Sequence, residues 1–250
     1  MRSRVTLMRQ TWRDLIWCHW PVAPSDVAAV LPPGLEPDLF DGSAWVGLVP
    51  FSMTDLRLAG PFGSLSKVFG VRNFGEVNVR TYVRGPKGRT GVWFCTLDAD
   101  SWLAVATAKI TFGLPYRRAT THFQRVDAQW RWRSERSHDR ACAELEVDVV
   151  DDVARPAREG LEQFLFERYA LYTTKFGRLW RGELRHEPWR VRDARLRRVR
   201  LDTIEAAGFR SLGDAHVRVG EPVSVSVFRL RQVGRTPRTL FGARVPTPHQ

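Results

Sequence analysis

Residues 76–99, EVNVRTYVRGPKGRTGVWFCTLDA, decide the fold class because they contain two strand-like runs around one tight turn. In the first run, one face of the strand carries the larger polar and aromatic side chains, which are Glu76, Asn78, Arg80, Tyr82 and Arg84. Valines and a threonine occupy the alternate positions, and this period of two predicts a β-strand. Glycine and proline at 85–88 favour a turn, so the whole stretch predicts an antiparallel hairpin.

Further hairpins are predicted on both sides of this stretch. The dipeptide Asp41-Gly42 favours the positive φ angles of a two-residue turn between the apolar runs of residues 35–53. Another hairpin is predicted over residues 170–189, and a closing strand over residues 221–233. Short strands joined by tight turns predict an α+β protein of mostly antiparallel β structure, with its strands closed into a barrel.

Three segments have helical patterns, and one long loop separates two of the strands. The predicted helices lie within residues 24–34, with Ser25 as the N-cap, within 98–113, with Asp98 or Asp100 as the cap, and within 158–169. The glycine-rich residues 58–75 predict a loop of a length that is often functional. No internal repeat or linker divides the chain, so residues 1–250 are predicted to form a single domain.

The composition is that of a folded, soluble protein. Hydrophobic residues make up 43% of the 250 residues, which is enough for a large core. The three cysteines, Cys18, Cys95 and Cys142, form no C-x-x-C pair, as is typical of a protein from a reducing cytosol. No apolar run approaches the roughly 18 residues that a membrane-spanning helix needs. We therefore expect a cytoplasmic protein with no membrane partner.

The net charge of +12 permits a second interpretation, that of an arginine-rich protein associated with nucleic acid. Only four of the 39 basic residues are lysines, which codon composition explains equally well. Trp130 and Trp132, between arginines, have the spacing of a base-stacking platform, but also of one buried face of a strand. We therefore expect at most weak, non-specific binding to nucleic acid.

The polar face of residues 76–84 has two interpretations. It faces solvent in a sheet that is covered on one side only, or it lines the lumen of a barrel. In the second case Glu76 and Arg80, four residues apart on the same side, are placed to hold a polar ligand.

A second motif, FGLPYRRA at residues 112–119, places a phenol and two guanidiniums after a predicted helix end. Pro115 stops the helix because it lacks a backbone N–H and its ring blocks continuation. In the strand that follows, Tyr116 and Arg118 are expected on one side and Arg117 on the other. Arg117 reaches a lumen only if the backbone turns sharply after Pro115.

Seven blocks, in this order, closely resemble the uncharacterised bacterial YqjF-like family. They are WRDLIWCHWPV, LPPGLEPDLFDGSAWVGLVPFSM, FGEVNVRTYV, GVWFCTLDA, FGLPYRRA, FLFERYALYT and RHEPW, and the match extends from about residue 12 to 233. That family resembles the acetoacetate decarboxylase-like superfamily. The resemblance implies a cone-shaped, mostly antiparallel β-barrel around a buried polar cavity.

The comparison with the decarboxylases implies that their Schiff-base chemistry is absent. Those enzymes carry a Gly-aromatic-Pro-Lys-Lys turn, whose first lysine forms the imine. Here Tyr116 and Arg117 stand in place of the lysine pair, and neither side chain forms an imine. The resemblance also implies that Glu76 corresponds to the acidic strand residue of the superfamily, and that Tyr116 faces the cavity near Glu76, as the superfamily's lysine does. Lys109 is the nearby lysine that could take over the catalytic role. The alternative is that its side chain is exposed on the predicted helix.

We therefore predict a barrel that binds a small anionic or carbonyl-bearing molecule, either as an enzyme without Schiff-base chemistry or as a binding protein. Glu76 and Tyr116 are the candidate proton-transfer groups. The candidate ligand-binding residues are Asn78, Arg80, Tyr82, Arg117, Arg168 and His186. No metal site is predicted, since no histidine pair has ligand spacing, and no cofactor motif is present. A homo-oligomer is left open.

Overall fold

A 16-stranded sheet dominates the protein. The computed structural model describes residues 5–59, 73–101, 112–210 and 212–235. The strands are β1 (Thr6–Arg13), β2 (Leu15–Val22), β3 (Glu36–Pro37), β4 (Ala44–Leu58), β5 (Phe74–Arg84), β6 (Thr90–Ala99), β7 (Tyr116–Val126), β8 (Gln129–Arg136), β9 (Cys142–Val149), β10 (Arg155–Pro156), β11 (Ala170–Lys175), β12 (Arg178–Arg185), β13 (Arg190–Leu201), β14 (His216–Gly220), β15 (Val223–Phe228) and β16 (Arg231–Arg235). The helices are α1 (Pro24–Val30), α2 (Leu161–Phe166) and α3 (Asp202–Glu205).

The strand pairings close into two rings that share one wall. One ring follows the order β1–β15–β12–β11–β6–β5–β4 and returns to β1. The other follows β6–β7–β8–β9–β13–β14–β2–β4–β5 and returns to β6. Strands β4, β5 and β6 belong to both rings. This closed arrangement confirms the predicted β-rich α+β class, although β6 pairs in parallel with β7 and β11.

Each ring encloses its own hydrophobic core, and β5 lies between the two cores. The first core includes Tyr82 of β5 together with Trp17, Phe166 and Trp189. The second core includes Val77 and Val79 of β5, together with both tryptophans of β8. Because β5 is packed on both faces, every residue from Phe74 to Val83 is buried. Trp130 and Trp132 are therefore core residues and not an exposed stacking platform.

Two of the predicted hairpins are confirmed, and a third is only partly correct. Strands β5 and β6 form an antiparallel pair across a short 3-10 turn at Pro86–Gly88, and β11 pairs with β12. At the first predicted turn, Asp41 and Gly42 both adopt positive φ, and Phe40 pairs with Ser43. The short strand before that turn pairs with β5 instead of β4.

The helix predictions need correction at their ends. Helix α1 begins at Pro24 with Ala23 as its N-cap, so Ser25 lies inside the helix. This start suits proline, which is favoured in the first helical turn. Helix α2 occupies only the centre of the predicted 158–169 segment. Asp98 lies in β6, where it pairs with Val77, and so it does not cap a helix.

Several other predictions lie partly or wholly outside the described residues. Most of the rest of the predicted 98–113 helix, with Lys109, and most of the 58–75 loop fall there.

The predicted closing strand over residues 221–233 is two strands in the structure, β15 and β16. Among the helices of the described residues, none has the length and apolar character to cross a membrane.

Candidate functional site

The polar face of β5 lies inside the first ring. Glu76, Asn78 and Arg80 are 3%, 3% and 7% exposed, and Tyr82 is fully buried. A solvent-exposed face is therefore the wrong interpretation for these four residues. Only Arg84, at the end of the strand, is exposed, and its guanidinium pairs with Asp38. The barrel thus carries a line of buried polar side chains along its shared wall.

Tyr116 meets this line at Glu76. Gly113, with positive φ, and Pro115 redirect the chain so that β7 starts beside β6, and Tyr116 lies opposite Leu97. The phenol Oη of Tyr116 donates a hydrogen bond of 2.7 Å to Oε2 of Glu76. The predicted proximity of these two side chains, 40 residues apart in sequence, is confirmed.

Burial raises the pKa values of both side chains in this pair. The low-dielectric surroundings raise the pKa of Glu76 to about 7, because desolvation outweighs the hydrogen bonds from Tyr116 and Asn78, and the charge of Asp98 adds to the rise. Burial, with the charge of Glu76 and the hydrogen bond to it, also raises the pKa of Tyr116 well above its usual range. The phenol therefore stays protonated near neutral pH, while the carboxyl group changes its protonation state there.

Arg80 is a buried cation without a carboxylate partner among the described residues. Its guanidinium lies 4.4 Å from the centre of the Trp17 ring, and Nη2 donates a hydrogen bond of 3.3 Å to Oη of Tyr82. Its Nε is buried and makes no hydrogen bond. Burial lowers the pKa of Arg80, and nearby Arg168 adds to this effect. An uncompensated buried charge is costly.

Other polar atoms of the first ring are also buried without hydrogen-bond partners. This group consists of the indole Nε1 atoms of Trp12, Trp17, Trp45 and Trp189, Nδ1 of His19, Oε1 of Gln10 and Oδ1 of Asn78. Native proteins pair the large majority of buried polar groups. Because indole nitrogens are donors only, the unpaired group is rich in donors that suit a ligand with acceptor oxygens.

His19 was not among the candidate ligand-binding residues, and the structure places it at the centre of this cluster. Its Nε2 lies 2.7 Å from Oη of Tyr82, and its side chain is fully buried. Burial lowers the pKa of His19 well below its usual range, with the charges of Arg80 and His216 adding to the effect. Gly47 leaves room for the ring, since a Cβ there would lie 2.6 Å from it. The alternation of Leu15, Trp17 and His19 on one face of β2 was the available sequence signal.

The remaining candidates are placed at different depths. Arg168 is mostly buried, and its Nη1 lies 2.7 Å from Oδ2 of Asp38, beside the ring of Tyr82. His186 is buried against Trp12, Trp189 and Tyr169, and burial lowers its pKa. Arg117 is exposed at the surface, apart from the cluster. Arg118 is exposed as well, so both arginines that follow Tyr116 lie outside the buried cluster.

Two pockets formed by described residues lie apart from Glu76. They surround Arg89, Arg181 and Arg231, and none of their lining residues belongs to the Glu76 cluster.

Comparison with known proteins assigns the family. Residues 9–226 match the DUF2071 family, described as an uncharacterized conserved protein. The chain belongs to this family. One DUF2071-like relative is the uncharacterized protein YqjF of Bacillus subtilis (strain 168), which is 36% identical over 191 residues, or 76% of this chain and 77% of YqjF. The resemblance inferred from the seven sequence blocks is confirmed.

Solved structures extend the likeness of this DUF2071 protein to the acetoacetate decarboxylase-like fold. The enduracididine biosynthesis enzyme MppR, complexed with pyruvate, is similar over 93% of this chain and 91% of its own, with a TM-score of 0.61 and 16% identity. Acetoacetate decarboxylase from Legionella pneumophila is similar over 93% and 88%, with a TM-score of 0.63 and 12% identity. At these identities the likeness shows the fold, and the predicted superfamily fold is confirmed.

Proposed function

We propose that the first ring binds a small anionic molecule with a carbonyl group, and that Arg80 holds its negative charge. The observation that carries this proposal is the buried guanidinium of Arg80, which has no carboxylate partner among the described residues. A bound carboxylate would supply the missing charge and accept hydrogen bonds from a planar donor group. The surrounding unpaired indole N–H groups would add further donors.

The line of residues along β5 limits the size of the ligand. Glu76 and Arg80 are four residues apart on an extended strand, so their Cα atoms are separated by roughly 13 Å. Asn78 lies between them on the same face, and its Oδ1 has no hydrogen-bond partner. A short acid held at Arg80 would direct its other end past Asn78 toward Glu76.

The Glu76–Tyr116 pair would act on that end of the ligand. With a pKa of about 7, the Glu76 carboxyl group is able to accept or release a proton at neutral pH. The single O–H of Tyr116 is donated to Glu76, and when the Glu76 carboxyl group takes up a proton the phenol would be released to stabilise a developing oxyanion. An enzyme that moves a proton next to a carbonyl group is the function that this pair supports best, and a binding protein without turnover is the alternative.

Schiff-base chemistry is not part of the proposal. The superfamily's reactive lysine corresponds by resemblance to Tyr116, and a phenol forms no imine. One structural neighbour, the enzyme MppR, is complexed with pyruvate, which supports a small carbonyl compound as the ligand class. Borohydride treatment of the protein with acetoacetate should leave its mass unchanged. A stable adduct on any lysine would overturn this part of the proposal.

The binding proposal is tested by comparing two arginine variants. Native mass spectrometry of the purified protein should detect a co-purifying small acid, and titration with pyruvate should show saturable binding. Arg80→Met should abolish both, because the methionine fills the space without the charge. Arg118→Met, at an exposed position, is the matched control and should bind like the wild type. Equal binding by a folded Arg80→Met variant would refute the proposal.

A further inference from the structure

A second polar pocket lies at the other end of β6 from the Glu76 site. It has a volume of about 130 Å³, and its charged lining residues are Arg89, Arg181, Glu183, Arg229 and Arg231. Arg89 precedes the first residue of β6, while Ala99 at the last residue of that strand pairs with Glu76. The ten residues of β6 span about 30 Å as an extended strand. The pocket is therefore separate from the proposed carbonyl-acid site.

The strand register brings like charges together in this pocket. Arg181 of β12 and Arg231 of β16 are direct cross-strand partners. Like charges directly opposite each other on a sheet are destabilising. Glu183 offsets one of them, since its Oε1 lies 2.7 Å from Nη1 of Arg181. With four arginines and one glutamate lining it, the pocket retains a positive charge.

The guanidinium of Arg181 is held in place, but not all of its N–H groups are hydrogen-bonded. Its side chain is 15% exposed and lies over the ring of Tyr172, at 5.9 Å from the ring centre. Its Nε is buried and makes no hydrogen bond among the described residues. The hydroxyl of Tyr172 also donates a hydrogen bond of 2.8 Å to the backbone oxygen of Arg89. Tyr172 thus anchors two of the arginine positions before any ligand arrives.

The shape of the pocket indicates how a ligand would lie. A wider opening of about 560 Å³ shares the residues Arg89, Arg181, Glu183 and Arg231 and adds Gly88 and Thr90. The inner volume suits one compact charged group, while the outer opening leaves space for the rest of a molecule. Several guanidiniums around one small volume suit a tetrahedral dianion better than a planar monoanion, because the dianion offsets more than one positive charge and its oxygens can accept from guanidiniums on different sides.

We propose that this pocket binds the phosphate group of a small phosphorylated molecule. The proposal is independent of the carbonyl-acid site, because the two share no residue. Calorimetric titration with inorganic phosphate and with pyrophosphate at low salt should show saturable binding to the wild-type protein. Arg231→Gln and Arg89→Gln, both at exposed positions, should each weaken phosphate binding by about tenfold, the effect of losing one charge-assisted hydrogen bond.

Three controls make the test decisive. Arg178→Gln removes the same charge from β12 outside the pocket, so it should change phosphate affinity less than twofold. A tenfold loss there would show that only general surface charge attracts phosphate, and would overturn the proposal. Acetate should bind much more weakly than phosphate, and equal binding would assign the pocket to carboxylates instead. Arg80→Met should bind phosphate normally, whereas a loss would refute the separation of the two sites.

Discussion

Tyr116 shows how one side chain changes the chemistry that a shared fold can support. In the decarboxylase turn that this chain resembles, the equivalent residue is a lysine that forms a covalent bond to its substrate. A phenol at the same place forms no such bond, but it provides a rigid, neutral hydrogen-bond donor. Here the donor is aimed at Glu76, and both side chains are buried. The proposed function accordingly uses this pair for proton transfer and needs no nucleophilic lysine.

Removal of the Tyr116 hydroxyl should weaken ligand binding or turnover more than it affects folding. Tyr116→Phe leaves Asn78 as a hydrogen-bond donor to Glu76 in the free protein. In the proposed complex it leaves a buried ligand oxygen without the phenol donor, which costs about 1–3 kcal/mol. Binding of pyruvate by calorimetry and urea unfolding are the two measurements. Tyr169→Phe is the control, because it removes an exposed phenol that also donates to a glutamate. A Tyr116→Phe variant with unchanged binding and unchanged turnover would contradict the role of the phenol.

Glu76 should make the stability of the protein fall as pH rises toward neutrality. Its pKa is raised from 4.5 to about 7 in the folded protein, so the folded state holds the proton more tightly than the unfolded state. The favourable contribution is complete below about pH 4.5 and is lost as pH rises through about 7. The rise in pKa from 4.5 to about 7 corresponds to a loss of about 3 kcal/mol in the free energy of unfolding across this pH range.

The Glu76→Gln variant isolates this effect. Glutamine resembles the protonated acid, so the variant should match the wild type near pH 5 and exceed it in stability near pH 8. Denaturant unfolding of both proteins at both pH values gives the difference in their free energies of unfolding. Titration of other groups affects both proteins alike and cancels in this difference. A constant difference between the two proteins across this range would mean that Glu76 has an ordinary pKa.

Strand β5 is the element that makes the interior site. It pairs with β4 along one edge and β6 along the other, and hydrophobic cores cover both of its faces. A strand buried on both faces usually carries an apolar run. The polar side chains of β5 break this pattern, and such local exceptions are expected at functional sites.

A buried ion pair joins the shared wall to β8 on the other side. Nε of Arg136 lies 2.9 Å from Oδ2 of Asp98, and their side chains are 4% and 1% exposed. Nη2 of Arg136 also donates a hydrogen bond of 2.9 Å to Oγ1 of Thr96. The two residues of β6 thus hold the end of β8 against the barrel.

Breaking this pair should destabilise the fold strongly. Asp98→Asn leaves the buried Arg136 guanidinium with only the partly exposed Asp139, 3.6 Å from its Nη1, as a counter-charge. The change should lower the free energy of unfolding by about 3 kcal/mol. The double variant with Arg136→Met should lose less than the sum of the two single changes, because the unpaired charge is gone. Asp148→Asn, which breaks an exposed pair with Arg197, should cost less than about 1 kcal/mol. Equal effects of the two aspartate changes in urea unfolding would contradict this role.

At the scale of the whole molecule, many arginines serve the structure. Arg131 and Arg133 of β8 both pair with Glu144 of β9. Arg155 and Arg218 both pair with Glu162 and Asp193. Arginines in such networks are less available to a polyanion than free surface charges. The net charge of +12 is therefore a poor guide to function in this protein.

Binding to nucleic acid should accordingly be weak and sensitive to salt. Fluorescence anisotropy with duplex and single-stranded DNA should show non-specific binding that fades between about 50 and 200 mM salt, as released counterions dictate. Duplexes of different sequence should bind alike. A sub-micromolar complex that selects one sequence and survives 200 mM salt would favour the nucleic-acid hypothesis over the barrel ligand.

The sequence alone was sufficient where local rules decide the structure. The alternation of residues 76–84 identified β5, and the hairpins predicted around residues 85–88 and over residues 170–189 correctly joined β5 to β6 and β11 to β12. The ordered blocks identified the family and thereby the barrel. Helix ends were predicted less accurately. The preference of serine for the N-cap placed the start at Ser25, whereas the helix begins at Pro24, a residue that is favoured at the first helical position.

The tertiary structure decided what local rules leave open. Alternation divides the side chains of β5 into two faces, but it does not say whether a second layer covers the polar one. That depends on β4 and β6 pairing at its two edges and on the two rings closing around them. The contact between His19 and Tyr82 joins residues 63 positions apart, and the cross-strand pair of Arg181 and Arg231 depends on the register of β16. The sequence therefore determined the strands, the turns and the candidate residues, while long-range pairing determined which charges are buried together and what they can bind.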